Sequence, residues 1–552
     1  MNKRTIKVFL ILFILFLSYL AFFYKLDIET ISVWDEARNS INAIEMSENR
    51  NFLVTTFEGE VDMWNTKPPL LIIIQSVFIS LFGLSEFSVR LPSAIAATLT
   101  VFFLYFFISK YTKSDFIAFF SSIILLTTPG LFDHHGVRTA DYEATLMLFC
   151  SLYSFFYLCY IETKKIKYLY IFSITFTIAF MTKSAASLLF IPALLIYTIY
   201  RRRLIYILKS RDFYISLLIP VLIIGGYYFY REILNPGYLK IIYNNEFGGR
   251  YFSALEGHRE ESLFYLKLII NSKLKYWFFI SMLGIVFTFF EKNKRIKRLF
   301  IYLSLLSFIH LLIISIGKTK LHWYTLPEYP FWSVMAAISI YQILNFIFRL
   351  IKNKIVRISL TTVIVLIVFF FPIKDMILRI KYYSNEVIRD GVNVFIRDEL
   401  TNIIDKDYDK ITVFTTMPYQ YIIFYRHVLQ RKGYNIQTGR FDNITTDSFV
   451  LLDEREIPKP LIESLNILFF TEKIREYKES VILFKIIGKR SYEEALEYVI
   501  QQILLSEENK NEIKERSENA NPCFISQLRK DADLIVKNAI SLLTFDLGPS
   551  LS

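Results

Sequence analysis

The chain has 552 residues, of which 54% are hydrophobic and 17% aromatic, and its formal net charge is +12. Apolar runs long enough to cross a bilayer, roughly 17–25 residues, recur through its first two thirds, which excludes an ordinary soluble enzyme. The three cysteines show neither the spacing of metal ligands nor a disulfide framework.

The apolar runs predict membrane spans along most of the chain. The predicted spans are 7–24, 88–109, 115–132, 143–161, 167–181, 185–200, 213–231, 273–290, 299–316, 324–347 and 356–372. The first has a basic start and no small-residue cleavage site after it, so we predict a retained anchor. The segment 70–83 is apolar but short, which predicts an interfacial or re-entrant helix.

The distribution of charge supports this topology. With the amino terminus inside, the short inner loops carry 22 lysines and arginines against four acids, whereas the short outer loops carry few bases. This is the positive-inside pattern, and counting 70–83 as a span would break it. The basic balance is therefore topological, and nucleic-acid binding is not expected.

The predicted organisation has three parts. Residues 1–375 form a transmembrane domain, whose first outer loop, 25–87, contains interfacial helices. Residues 376–490 form a soluble, extracytoplasmic α/β or α+β domain, and residues 491–552 form a helical or flexible tail. In the soluble part, apolar runs predict strands at 411–416, 448–453, 465–470 and 480–487 and a helix at 385–398.

The first outer loop contains polar groups suited to a reaction site. Asp35 and Glu36 precede a helical pattern, and a helix amino terminus keeps a carboxylate ionised. Lys67 stands before Pro68 and Pro69, where a helix begins, and a lysine there suits a bound anion such as phosphate. The alternative is a pair of surface helices with ordinary charges.

Further polar groups stand in the other outer loops. The loop 133–141 reads D-H-H-G-V-R-T-A-D, the loop 256–260 reads E-G-H-R-E, and 317–330 reads G-K-T-K-L-H-W-Y-T-L-P-E-Y-P. Lysine, arginine and tyrosine can neutralise or donate to a departing phosphate. The alternative for the last loop is interfacial lysines and an aromatic belt.

Three motifs in order carry a family resemblance: D-E-A-R at 35–38, K-P-P at 67–69 and G-L-S-E-F-S-V-R-L-P-S-A at 83–94. Together they resemble the GT-C polyprenyl-phosphate-sugar glycosyltransferases of families 39 and 83, namely the protein O-mannosyltransferase-like enzymes and the aminoarabinose transferases of lipid A. The resemblance covers roughly residues 1–375. It implies an all-α polytopic fold with about 11–13 transmembrane helices, followed here by the soluble domain.

The resemblance also implies roles for particular residues. Asp35 is expected to be the base, with Glu36 and Asp141 in support, since R-T-A-D-Y-E-A matches the family's second acidic position. The turn M-T-K-S at 181–184 has serine where the family usually has glycine. The residues expected to hold the donor and its phosphate are Lys67, Arg138, His258, Arg259, Lys318, Lys320 and Tyr324.

The expected function is inverting transfer of a sugar from a polyprenyl (undecaprenyl) phosphate to a lipid, glycan or protein acceptor, on the outer face of the inner membrane. No residue is assigned as a metal ligand, and a divalent metal remains open as a cofactor. The sequence does not determine the donor sugar or the acceptor.

Two other classes of function compete with this one. A transporter or flippase of lipid-linked substrates would place charges inside the spans and contain paired broken helices. A scaffold that binds a partner through the soluble domain would leave the phosphate-suited groups without a role. The charges lie at the outer ends of the predicted spans, which favours the enzyme.

Overall fold

The computed structural model describes residues 2–32, 34–249, 260–351, 353–383, 391–403, 411–413, 420–434, 436–438, 444–446, 448–455, 457, 459–477, 480–505 and 522–544. The chain forms two compact units. The first contains residues 1–29 and 42–385, and the second contains residues 30–41 and 386–552. The main division thus follows Asn385 rather than residue 375, and a short piece of the first outer loop groups with the second unit.

Helices make up nearly all of the first unit, and the first seven residues of one of them, 35–41, group with the second unit. In chain order they are α1 Lys3–Ser18, α2 Asp35–Asn49, α3 Leu70–Phe82, α4 Glu86–Thr112, α5 Asp115–Leu126, α6 Glu143–Thr163, α7 Ile166–Lys183, α8 Ile191–Tyr200, α9 Leu204–Leu208, α10 Arg211–Leu234, α11 Tyr238–Ile242, α12 Phe264–Leu268, α13 Phe278–Phe289, α14 Lys294–Ile316, α15 Tyr329–Leu350 and α16 Lys354–Tyr383. A small hairpin, β1 Thr56–Phe57 and β2 Glu60–Val61, lies between α2 and α3.

The prediction of an all-α polytopic membrane protein is confirmed. Within the described part of the chain, eight helices are long and apolar enough to cross a membrane. A ninth span is obtained if the segments Phe264–Lys273 and Phe278–Phe289, which meet at a bend of 104°, are counted as one. The eleven predicted spans are therefore not all matched by a helix of full length.

Two predicted spans coincide with helices that are too short. The prediction for 115–132 coincides with α5, of 12 residues, and that for 185–200 with α8, of 10 residues. α5 ends where the hydroxyls of Thr127 and Thr128 bond back to carbonyls one turn earlier and Pro129 begins a 3₁₀ turn. α8 is short because residues 184–188 continue α7 as a 3₁₀ turn.

The helix after the K-P-P motif has the predicted length. α3 has 13 residues, fewer than a span needs, and it ends at Gly83, which has a φ of 80° that glycine adopts without strain. Ser85 and Ser88 then exchange hydrogen bonds as a capping box that begins α4.

Buried charges fasten the loops of the first unit. Arg90, in the third family motif, donates to the carbonyls of Leu26 at 3.1 Å and Glu29 at 2.8 Å, which fixes the chain after α1. Asp133 accepts hydrogen bonds from Arg379 on α16, at 2.9 Å, and from Lys273. This second network holds the turn that follows α5, because the partly buried Asp133 carboxylate is stabilised by two cationic partners.

The second unit contains a mixed sheet, as the prediction of an α/β or α+β domain requires. Its strands are β3 Ile411–Val413, β4 Ile436–Thr438, β5 Phe449–Asp453, β6 Phe469–Tyr477 and β7 Val481–Lys489, in the order β4-β3-β5-β7-β6. β3 is parallel to β4 and β5, and β7 is antiparallel to β5 and β6.

The strand predicted at 465–470 is wrong for its first four residues, 465–468. The helix Lys459–Leu468 occupies those positions, because Leu461, Ile462 and Leu465 at helical spacing pack under the sheet. The described parts of the predicted tail are the helices Tyr492–Leu505 and Pro522–Thr544. Both pack into one core with the end of the helix Lys459–Leu468, so they belong to the domain.

Candidate active site

The turn after α5 is built to bring polar side chains inward. A side chain at Gly136 would meet the carbonyl oxygen of Leu131 at 2.3 Å, so only glycine fits there. The neighbouring His135 has a φ of 59°, in the left-handed region that most residues avoid. This sharp turn lets the His135 Nδ1 lie 3.0 Å from the Asp141 Oδ2, and both side chains are buried. The His135 ring packs against the Trp323 ring, with centroids 3.8 Å apart and ring planes tilted by 35°.

A buried ion pair stands two residues further on. Glu143 is the first residue of α6 and Lys183 is the last residue of α7, and the Lys183 ammonium donates a hydrogen bond to the Glu143 Oε1. An acid at a helix amino terminus and a base at a carboxyl terminus are each stabilised by the helix dipole. The Lys183 and Glu143 side chains are 11% and 3% exposed, so the pair lies in a low-dielectric environment.

Lys67 lies against the same short stretch of chain. Its Nζ is 5.6 Å from the centroid of the Tyr142 ring, and Tyr142 precedes Glu143. The Asn65 amide donates to the Tyr142 hydroxyl at 3.1 Å and to the Asn42 oxygen at 2.8 Å. The Asn42 amide donates in turn to Asp62 at 3.0 Å. This buried network fixes the loop that carries the half-buried Lys67.

Tyr324 completes the group from a fourth part of the chain. It lies on the 3₁₀ turn His322–Glu328, which precedes α15. The Lys183 Nζ is 6.0 Å from the centroid of the Tyr324 ring. The structure therefore brings together Lys67, Asp141 and Tyr324 of the predicted set, and it adds Lys183, Glu143 and His135.

Three residues that were predicted to bind phosphate, Arg138, Lys318 and Lys320, are not part of this group. The buried Arg138 guanidinium donates to the carbonyls of Ala21, Tyr24 and Lys25 at 2.8–3.1 Å. The buried Lys320 ammonium donates to the carbonyls of Glu260 and Glu261 at 2.9–3.0 Å. Lys318 is exposed. These contacts give Arg138 and Lys320 a role in holding loops together. His258 and Arg259 lie outside the described residues.

The acid pair Asp35 and Glu36 belongs to the second unit. Asp35 is the first residue of α2 and follows Trp34, whose φ of 65° is strained for a residue with a side chain. Glu36 is buried, and its carboxylate accepts a hydrogen bond from the Ser32 amide at 2.8 Å. Glu36 thus orders the chain before the helix, while Asp35 is half-buried. Their expected convergence with Asp141 stays a prediction.

The sequence offers Glu143 only as a weaker candidate acid than Asp141, and it does not connect Lys183, Glu143 and His135 into one group. Lys183 was visible as one of few lysines in the outer loops, but its partner is 40 residues away. Glu143 stands beside a predicted apolar span, where its pairing cannot be read from spacing. The contact between His135 and Asp141 depends on the tight turn at Gly136.

The same group contains three side chains of the types that bind metals. Ligand atoms of His135, Asp141 and Glu143 all lie within 4.8 Å of one another. Among the described residues, this is the one group of three or more potential metal ligands that lies so close together. Imidazole and carboxylate donors suit Zn²⁺ or Mn²⁺. However, Lys183 already bonds to one oxygen of Glu143, so a cation would have to share or displace that lysine.

Comparisons with known proteins find relatives of the same part of the chain. Residues 66–227 match the family model described as dolichyl-phosphate-mannose-protein mannosyltransferase, a range that includes Lys67, Asp141 and Lys183. An uncharacterized protein of Aquifex aeolicus is 23% identical over 316 residues, which are 57% of this chain and 61% of that protein. An undecaprenyl phosphate-alpha-4-amino-4-deoxy-L-arabinose arabinosyl transferase of Aeromonas hydrophila is 26% identical over 330 residues, 58% of each chain. The alignments thus span about three fifths of these two relatives' length.

The fold has a close counterpart among solved structures. ArnT from Cupriavidus metallidurans, bound to undecaprenyl phosphate, superposes with a TM-score of 0.64 over 88% of this chain and 98% of that one, at 14% identity. At that identity the likeness concerns the fold. In fold and in sequence this chain is similar to membrane-embedded glycosyltransferases of the GT-C type. Within that class, this chain is similar to the protein mannosyltransferases and the aminoarabinose transferases.

Proposed function

We propose that this protein transfers a sugar from a polyprenyl-phosphate donor to a lipid, glycan or protein acceptor, with inversion, at the outer face of the inner membrane. The observation that carries the proposal is the meeting of Lys67, Lys183 and Tyr324 around the segment 141–143. Two ammonium groups and a phenol in one partly dry place suit a phosphate better than a neutral ligand. The names of the Aeromonas relative and of the ArnT complex, which both include undecaprenyl phosphate, support the same donor class.

The reaction in this proposal is a direct displacement. A carboxylate, assigned to Asp35 by resemblance, accepts the proton of the acceptor hydroxyl while the acceptor oxygen bonds to the anomeric carbon. The bond between that carbon and the phosphate oxygen breaks, and its electron pair stays on the polyprenyl phosphate. One base in the attacking position is enough, because the displacement occurs in a single step.

The leaving phosphate gains negative charge as the bond breaks, so fixed cations accelerate the step. Lys67 is suited to this role because its aromatic and polar neighbours hold its loop. Lys183 is suited to it because a second anion can share its ammonium group with Glu143. Tyr324 donates a hydrogen bond from its hydroxyl. Asp141 and His135, whose side chains contact each other, lie beside them.

We further propose that transfer needs no divalent metal, because Lys183 already supplies the positive charge that Glu143 requires. The donor types of His135, Asp141 and Glu143 fit Zn²⁺ or Mn²⁺, which would supply a further positive charge for the phosphate. Transfer by enzyme dialysed against EDTA is expected to match that of untreated enzyme. A loss that Mn²⁺ or Zn²⁺ restores would assign the cluster to a metal instead.

The competing function, movement of a lipid-linked substrate across the membrane, predicts paired broken helices. Among the described residues there is one bent pair, Phe264–Lys273 with Phe278–Phe289. The charged groups lie instead at the ends of α6 and α7. This arrangement favours transfer over transport.

The test is a transfer assay with the purified full-length protein in lipid nanodiscs. Polyprenyl-phosphate mannose, glucose and aminoarabinose are offered in turn with lipid A, a short glycan or a serine-containing peptide. Release of polyprenyl phosphate together with a glycosylated acceptor, seen by mass spectrometry, is the expected result. Lipid movement between leaflets without any release of polyprenyl phosphate would support the flippase instead.

A further inference from the structure

One short segment of the first unit contacts both lysine-bearing turns of the site. The segment comprises residues 238–246, made of α11 and the helical turn after it, and we call it the strap. The Thr66 hydroxyl donates to the Glu246 Oε1 at 2.7 Å. The Tyr238 hydroxyl donates to the Thr66 carbonyl at 3.2 Å. Thr66 is therefore held through its side chain and its backbone by the two ends of the strap, directly before Lys67.

The second turn meets the same carboxylate. The Ser184 hydroxyl points at the Glu246 Oε2, at 3.5 Å, and Ser184 directly follows Lys183. Ser184 has a φ of 31°, in the region that glycine adopts more easily than any residue with a side chain. Keeping serine there retains a hydroxyl in a strained position, and that hydroxyl faces Glu246. One carboxylate thus lies between the residues that adjoin the two lysines.

Apolar contacts follow the same pattern. Tyr238 and Ile242 are buried in a small cluster against which Met63 and Met181 pack. Met63 lies in the turn of Lys67, and Met181 lies in the turn of Lys183. The strap is therefore attached to each turn by an apolar contact and a polar contact. A loop that only covers the surface does not require both.

The start of the strap is anchored independently. The Glu232 carboxylate accepts from the Gly237 amide at 2.8 Å and from the Leu239 amide at 2.7 Å. The Arg231 guanidinium lies 4.2 Å from the centroid of the Tyr238 ring. Burial, and then the nearby Tyr227, raise the pKa of the Tyr238 hydroxyl, so that it stays protonated and able to donate. A fixed start and a charged end give the strap a defined reach between the turns.

We propose that Glu246 is a positioning residue, which clasps the turns of Thr66 and Ser184 and so sets the separation of Lys67 and Lys183. The inference rests on the proposed function, in which both ammonium groups bind the donor phosphate. Two cations held at the right spacing bind one phosphate better than two that move independently, because less freedom is lost on binding. Glu246 itself need not touch the substrate. Its loss changes donor binding before it changes the chemical step.

The experiment measures the KM for the donor, the kcat and the affinity for undecaprenyl phosphate in the full-length protein. Glu246→Gln keeps the size of the side chain but loses one accepting oxygen, and Thr66→Val keeps the shape but loses the donor. Each is expected to raise the donor KM about ten- to hundredfold, as loss of a hydrogen bond to a charged group does, with a smaller change in kcat. The double variant should show no larger rise in donor KM than either single variant, because both substitutions remove the same hydrogen bond. Thr66→Ser restores the hydroxyl and should restore the KM.

Ser184 provides a matched pair. Ser184→Ala removes the hydroxyl and keeps the strain, whereas Ser184→Gly removes both. Both variants should raise the donor KM by the same factor, and Ser184→Gly alone should raise the melting temperature. The control is Asn244→Ala, an exposed residue of the strap, which should behave as wild type.

Wild-type KM in Glu246→Gln and Thr66→Val, additive losses in the double variant, or an equal loss in Asn244→Ala would each overturn the proposal. A readout that needs no substrate separates it from the proposed function. Trypsin should cut after the exposed Lys240 faster in Glu246→Gln than in wild type, because the strap is released. Faster cutting in a protein that neither binds undecaprenyl phosphate nor transfers sugar would contradict the proposed function alone, and equal cutting would contradict the clasp.

Discussion

The ammonium group of Lys183, at the end of α7, bonds to the carboxylate of Glu143, at the start of α6, and both are buried. The two helices run antiparallel, so one short connection at the far end leaves these residues as neighbours. A buried ion pair contributes little net stability, since desolvation offsets its attraction, but breaking it is costly. We therefore assign the pair to the site rather than to the stability of the bundle.

The first prediction concerns this pair. Lys183→Met should lower the free energy of unfolding by about 3–5 kcal/mol, because Glu143 is left buried and unpaired. Glu143→Gln should be destabilising for the converse reason. The double variant should recover most of the stability and none of the transfer activity. Thermal unfolding in nanodiscs, measured beside transfer, checks both.

An exposed ion pair of the same unit serves as the control. Glu261 bonds to Lys267, and both are exposed to solvent that screens their attraction, so Lys267→Met should leave the melting temperature nearly unchanged. Full transfer activity in the Lys183→Met/Glu143→Gln protein would remove Lys183 from the site.

The second prediction concerns Lys67. Lys67→Ala should raise the donor KM and slow transfer, because the phosphate loses a cation in a partly dry site. Lys67→Arg should be milder but measurable, since a planar fork replaces a compact charge. Steady-state kinetics with varied donor measure the effect, and unchanged kinetics in Lys67→Ala would make this lysine an ordinary surface charge.

The third prediction separates Arg138 from Lys67. Because the buried Arg138 guanidinium is bonded to three carbonyls after α1, Arg138→Gln should remove the donors that hold this segment and destabilise the first unit by about 2–5 kcal/mol. The protein that remains folded should bind the donor with wild-type KM. A raised KM at unchanged melting temperature would restore Arg138 as a phosphate ligand.

The fourth prediction concerns the base. Asp35→Asn keeps the shape of the side chain and removes its charge, so transfer should fall by roughly 10²–10⁴-fold or more in folded protein. Glu36→Gln should lose less activity and more stability, since Glu36 holds the Ser32 amide. Asp141→Asn should lie between them if it only orients a substrate.

The assay for these variants is transfer in membranes, with protein level and melting temperature measured on the same samples. Near-full transfer by Asp35→Asn would remove the assigned base. A folded Glu36→Gln protein that loses more activity than Asp35→Asn would exchange the two roles.

The fifth prediction is the topology around α3. In a background in which Cys150, Cys159 and Cys523 are replaced, single cysteines at Glu60, Leu84 and Lys318 should react with an impermeant thiol reagent from outside. Cysteines at Lys165 and Lys292 should react only after the membrane is permeabilised. Labelling of Leu84→Cys from inside would mean that α3 crosses the membrane and that the later loops are inverted.

Parts of the site were accessible from the sequence because they depend on local motifs. Lys67 before two prolines, the acid pair at a helix start and Tyr324 in an outer loop were each recognised by residue type, spacing and resemblance. Arg138 and Lys320 were expected to bind phosphate for the same reasons. In the structure their side chains instead donate hydrogen bonds to backbone carbonyls. Those carbonyls belong to chain segments outside the motifs that contain Arg138 and Lys320.

The sequence by itself determined the membrane class, the short α3 and the soluble mixed domain, because apolar periodicity and length are local properties of the chain. Only the tertiary structure decided which polar groups meet: Lys183 with Glu143, His135 with Asp141, and Glu246 with Thr66. It also decided that two predicted spans are short helices, since threonine back-bonding and a 3₁₀ turn end them where hydropathy continues. The physical reason is the same throughout. A buried charge meets its partner where distant segments of the chain pack together. Residue spacing along one segment therefore carries no information about that partner.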